Sequence, residues 1–226
     1  MARAAASRPG DLRASLRGFG PLGLLAIVVI LSGNFLFPPL SAVLVLFWAR
    51  WSGTPWREIG YVRPRSWIGE LAAGLILGGL FKLAMKAVVM PLLGADPINR
   101  AYHALVGNTQ MLAWMLLIVT INAGIGEETV FRGYMFERLG KLIGRNVPAK
   151  VAAVVLTSAV FALALLPDQG VAGTEQATFT GLAFGGVFAR TGRLYPVMCA
   201  HAGFDLVAVA IIYLDLESRV AHLVFC

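Results

Sequence analysis

Between residues 67 and 214 the chain runs as five apolar stretches, 67–93, 109–126, 147–166, 177–189 and 194–214, separated only by short polar connections. A helix of roughly 20 apolar residues matches the hydrocarbon thickness of a bilayer, and only helices and closed barrels satisfy every backbone N–H and C=O where water is missing. No soluble domain fits between these stretches. Of the 226 residues 58% are hydrophobic and 14% charged, against roughly a quarter charged in soluble domains. The expected fold is all-α, a polytopic integral-membrane helical bundle of about six to eight transmembrane helices.

The first 18 residues carry Arg3, Arg8, Arg13 and Arg17 ahead of the apolar run 21–31. No clear small-residue cleavage site follows, and 35–48 is apolar again, so the segment reads as an uncleaved anchor. Gly33-Asn34 and Pro38-Pro39 interrupt it, which predicts either a hairpin of two short helices or one long kinked span. Each arm would be only about 21 Å long.

Most of the 19 basic residues lie in the N-terminal tail, 50–65, 132–150 and the Arg190/Arg193 turn, whereas Asp96, Asp168, Glu175, Asp215 and Glu217 fall in the alternate connections. The positive-inside rule then puts the Arg-rich set and the N-terminus in the cytoplasm, in a multi-pass protein of the cell (inner or plasma) membrane, and favours the hairpin. The organisation expected is a basic cytoplasmic tail (1–18), a membrane hairpin or kinked span with a cytoplasmic loop (19–65), a membrane domain (66–216) and a C-terminal tail (217–226). The formal charge of +7 is thereby a matter of the lipid bilayer, and no nucleic-acid partner is expected. Cys199 and Cys226 make neither a disulfide framework nor a metal-type spacing. Lys82 and Lys86 share one helix face and are expected to snorkel toward the far interface.

Glu127-Glu128-Thr-Val-Phe-Arg132 follows directly on the apolar stretch 111–126. An ionised side chain at the bilayer centre costs about 3 kcal/mol on insertion scales, so carboxylates beside so much apolar sequence call for a reason. Helical neighbours point about 100° apart, so Glu127 and Glu128 are not expected to share a face, whereas Glu128 and Arg132 at i, i+4 pair. That leaves Glu127 as the candidate general base. The bland alternative is an interfacial helix end with an ordinary ion pair. A second cluster, His201-Ala-Gly-Phe-Asp205, lies inside 194–214 and again places two polar groups on one face. The carboxylate then orients the imidazole, or both line one wet cavity. A lone membrane histidine is more often a helix–helix hydrogen bond.

Glu127-Glu128-x-x-x-Arg132 followed by His201-x-x-x-Asp205 in a late span resembles the CAAX prenyl endopeptidase family, the CPBP intramembrane proteases, over roughly 66–214. In that family the first motif is Glu-Glu-x-x-x-Arg and the last is His-x-x-x-Asn or a similar polar residue. The middle motif, Phe-x-x-x-His, is broken: the chain reads Phe161-Ala-Leu-Ala-Leu165. The resemblance implies an endopeptidase in which Glu127 activates a water, Glu128 and Arg132 support it, His201 orients water or substrate, and Asp205 stands at the oxyanion or orienting position. An ionised Asp donates no hydrogen bond and is a poor oxyanion donor. The substrate implied is a membrane-associated peptide or protein, and bacterial members include bacteriocin-processing and immunity proteins.

The resemblance also raises a divalent metal such as zinc, with Glu127 and His201 as ligands; catalytic zinc generally takes three protein ligands. His103 and His222 are not expected to reach Glu127. Leu165 in place of a catalytic histidine implies an impaired or inactive enzyme. Two other readings stand beside the protease: a non-proteolytic relative that binds a peptide or protein, and a proton-coupled transporter, for which intramembrane Glu, Lys, His and Asp are equally natural. On simple rise per residue, position 165 lies about 24 Å from the cytoplasmic side while Glu127 lies near it, so the two are expected at different depths.

Overall fold

The computed structural model describes residues 12–36 and 38–225; Arg3, Arg8 and Cys226 lie outside the described residues. All regular structure among the described residues is helical. In chain order the helices are α1 (Leu12–Arg17), α2 (Pro21–Leu36), α3 (Pro38–Ser52), α4 (Trp67–Leu92), α5 (Thr109–Ile143), α6 (Val147–Thr191), α7 (Leu194–Tyr213) and α8 (Glu217–Ala221). Side chains cap three of the long helices, each accepting from a backbone N–H three residues on: Ser66 from Gly69, Asn108 from Met111 and Asn146 from Ala149. Helices α4 to α7 are each long and apolar enough to cross a membrane. Leu77 is 64% exposed and Trp114 62%, which suits a lipid-facing surface. The protein is an all-helical, multi-pass membrane protein.

Helices α2 and α3 fold back on one another. Gly33 lies against Ser41 and Leu44, and the Ser41 hydroxyl donates to the Ile30 carbonyl. Trp48 ties this pair to the rest: its Nε1 donates to Leu16 O at 3.0 Å, and its ring stands edge-on to Tyr134 of α5 at 4.8 Å.

Helix α6 reverses at Gly170, whose φ of 64° and ψ of −166° suit glycine alone. Pro167 lies just before it and supplies no backbone N–H. Beyond the turn Gly181 lies against Ser158 and Gly185 against Val154, so the two arms run antiparallel. The sequence places a polar connection over 167–176, but helix continues to the turn on both sides, so Asp168, Gln169, Glu175 and Gln176 sit on helix ends.

The tightest contact joins α4 to α7. A Cβ at Gly78 would stand 1.8 Å from Ala200 O, one at Gly74 2.4 Å from Cys199 Cβ, and one at Gly203 2.5 Å from Leu75 O. Where lipid offers no hydrophobic drive, such small-residue stripes let backbones meet and supply the packing.

Helix α5 corrects the expected span 109–126. It continues through both glutamates to Ile143, with i→i+5 bonding over Ile118–Glu127 and Thr129–Tyr134. Charge does not end the helix because the bundle takes up Glu128, Arg132, Glu137 and Arg138, all buried. Glu127 is therefore a mid-helix residue. One end of the molecule gathers the arginines paired as Arg17–Glu58 at 2.8 Å and Arg193–Glu70 at 2.6 Å, the other the connection 94–108, the Gly170 turn and α8.

Candidate active site

Helices α5 and α7 cross closely because Gly124 leaves room: a Cβ there would lie 3.2 Å from Ala202 Cβ and 3.3 Å from Met198 O. The crossing lays the His201 ring between two successive carboxylates of α5. Glu128 Oε1 is 2.7 Å from Nδ1 and Glu127 Oε2 is 3.9 Å from Nε2. Asp205 Oδ2 lies 3.5 Å from the same Nε2. Neighbouring helical side chains diverge by about 100°, yet here that divergence takes them to opposite edges of one imidazole.

Behind His201, Arg132 NH1 is 3.0 Å from Glu128 Oε1, with side-chain exposures of 1% and 0%. The guanidinium lies 4.8 Å from the centroid of Phe161, which also meets Phe131 and His201 edge-on at 5.1 Å and 6.0 Å. A carboxylate that is ionised only accepts hydrogen bonds, and beside one the His201 Nδ1 carries the proton and donates. In the neutral ring Nε2 is then left as an acceptor, turned toward Glu127 and Asp205.

Glu127, Leu165, His201 and Asp205 line one cavity of about 300 Å³. Leu165 therefore shares a wall with Glu127, and the expected mismatch of depth disappears because Glu127 lies mid-helix. His103 and His222 are exposed, and neither lines the cavity.

Tyr102 and Asn122 are polar residues of the cavity that the sequence reading passed over, and Lys82, expected at the far interface, lines it as well. Asn122 precedes Glu127 by five residues in the i→i+5 stretch, and its buried Oδ1 has no hydrogen-bond partner among the described residues. That spacing was visible, but its meaning depends on a helix type that spacing does not reveal. Tyr102 comes from the connection between α4 and α5; burial, and next the charges of Asp205 and Glu127, push its phenol above the ordinary value. It stays a donor. Lys82 and Lys86 do not snorkel: both are buried, Lys82 donating to Gln176 Oε1 at 2.7 Å and Lys86 to Glu217 Oε1 at 2.9 Å.

Glu127, His201 and Asp205 make a carboxylate-rich set with one imidazole, a poorer fit for catalytic zinc than one with two, and Leu165 adds no donor. Among the described residues no group of three His, Cys, Asp or Glu side chains is placed to hold a metal ion.

Comparison with curated proteins and with solved structures yields no match. Over residues 109–207, the stretch that carries Glu127, Glu128, Arg132, Phe161, Leu165, His201 and Asp205, the chain matches the family of Rce1-like proteins, described as type II CAAX prenyl endopeptidase Rce1-like.

Proposed function

We propose that the protein is an intramembrane endopeptidase that hydrolyses a peptide bond of a membrane-associated peptide or protein. The observation that carries this reading is the His201 imidazole held at Nδ1 by Glu128, with Nε2 facing Glu127 and Asp205 in a cavity. The 3.9 Å between Glu127 Oε2 and His201 Nε2 is a gap that one water bridges with hydrogen bonds to both. Glu127 takes the proton of that water as its oxygen attacks the peptide carbonyl, and later passes it to the leaving amine. Arg132 pairs with Glu128, and Glu128 orients the His201 ring through Nδ1. Asn122 and Tyr102 supply the N–H and O–H donors for the oxyanion that an ionised Asp205 does not.

The family match supports a protease of this type. Leu165 supports a second reading, a relative that binds a peptide without cutting it, since it places an alkyl group on the cavity wall where the resembling family has a catalytic histidine. The arginine-rich end, with the N-terminus, is proposed to face the cytoplasm of a plasma or inner membrane.

The test is cleavage of a peptide library by the purified protein, its Leu165→His variant, and Leu165→His with Glu127→Ala, read by mass spectrometry. Cleavage by the first two and not the third is expected, with the histidine variant faster. Cleavage that persists without Glu127 overturns the mechanism, and cleavage by none of the three leaves the binding reading.

A further inference from the structure

Beside the chamber lies a second cavity of about 300 Å³, lined by Lys82, Lys86, Asp96, Asn99, Arg100 and Glu217 among others. It shares Lys82, Asn99, Gln169 and Gln176 among others with the chamber, so the two adjoin. The second cavity lies at the end of the bundle opposite the arginine-rich one. It forms a vestibule.

Of the vestibule's cations, two are engaged by carboxylates. Lys86 Nζ lies 2.9 Å from Glu217 Oε1 and donates to Pro97 O at 2.5 Å, and Arg100 Nε lies 2.8 Å from Asp96 Oδ2. Lys82 differs. It is 93% buried by its 7% exposure, and among the described residues its one hydrogen-bond acceptor is the neutral Gln176 Oε1. Its other contact is the face of Phe204, at 5.0 Å. Asp205 and Glu217 act on it electrostatically without ion-pair contact. An ammonium has three N–H donors, so two remain for a guest at the boundary of vestibule and chamber. Leaving such donors unmet in a dry site is costly, and an anionic acceptor meets them with charge-assisted hydrogen bonds.

We propose that Lys82 is a carboxylate-binding subsite that positions a peptide entering the chamber through the vestibule. In a peptide the chemistry has two sources, the free C-terminal carboxylate or an Asp or Glu side chain. The subsite rests on the reading of the chamber as a peptide site, and it restricts substrates to peptides bearing an anion beyond the bond presented to Glu127.

The experiment uses the purified full chain in detergent with Glu127→Gln, so that bound peptide is not consumed. Two randomised N-acetylated peptide pools, one ending in a free carboxylate and one amidated, are offered and the retained peptides identified by native mass spectrometry. The same is done with Lys82→Met and Lys82→Arg added. Folding of each is checked by its elution and melting in the same detergent.

A C-terminal carboxylate ligand gives roughly tenfold preference for the acid pool, lost in Lys82→Met and kept in Lys82→Arg. A side-chain ligand gives retention from both pools with enrichment in Asp and Glu, lost in Lys82→Met. Retention indifferent to carboxylates, preference unchanged in Lys82→Met, or no retention from either pool overturns the subsite. Cleavage of the same pools by the chain with Glu127 intact is read in parallel. Preference without cleavage keeps the subsite and removes the protease; cleavage without preference does the opposite.

Discussion

Glu128 Oε1 stands 2.7 Å from His201 Nδ1 and 3.0 Å from Arg132 NH1, so one oxygen joins an arginine of its own helix to a histidine of another. That oxygen neutralises a buried cation and holds a ring whose other nitrogen faces the cavity.

Arg132→Met removes the cation and leaves Glu128 buried against His201 alone. Breaking a buried pair from one side costs about 3–5 kcal/mol, and this should appear as a large fall in melting temperature in detergent. Combining Arg132→Met with Glu128→Gln should recover much of it, because no bare charge remains.

Lys86 and Glu217 form a second buried pair, far from Glu128. Glu217 also accepts from the Asn99 N–H at 3.0 Å, and so fastens the connection that carries Tyr102. Lys86→Met should destabilise by about 3 kcal/mol and render 94–108 sensitive to added protease. If limited proteolysis of that connection is unchanged, the clamp is not what holds it.

Gly78→Leu drives a side chain into Ala200 O and should abolish folding or cost several kcal/mol, about 3 or more. Gly186 is the control on a neighbouring helix: among the described residues nothing lies within 4 Å of its Cβ position. Gly186→Ala should be neutral or stabilising by up to about 1 kcal/mol. Thermal melts of the two variants, side by side, check this.

Asn122→Leu removes a donor from the chamber at similar volume. On a substrate cleaved by the protein or its Leu165→His variant, kcat should fall by about a hundredfold or more while KM changes little. An equal rise in KM with kcat preserved would assign Asn122 to ground-state binding instead.

The membrane class and the helical content were legible in residue order, since runs of apolar residues leave the backbone no other way to satisfy its hydrogen bonds in lipid. So was the spacing that lets Glu128 meet Arg132, because i, i+4 contact is a property of one helix. The Gly74-x-x-x-Gly78 stripe was also there to be read as a close helix contact, and passed unnoticed. What a single helix does not specify is which neighbour covers each face. Packing alone laid His201 between Glu127 and Glu128, turned Lys82 and Lys86 inward rather than to the interface, and put Leu165 on the wall shared with Glu127. The physical reason is that a charge inside a bundle is stabilised by partners on other helices. Periodicity orients a residue on its own helix, whereas the crossing of α4, α5 and α7 decides what it meets.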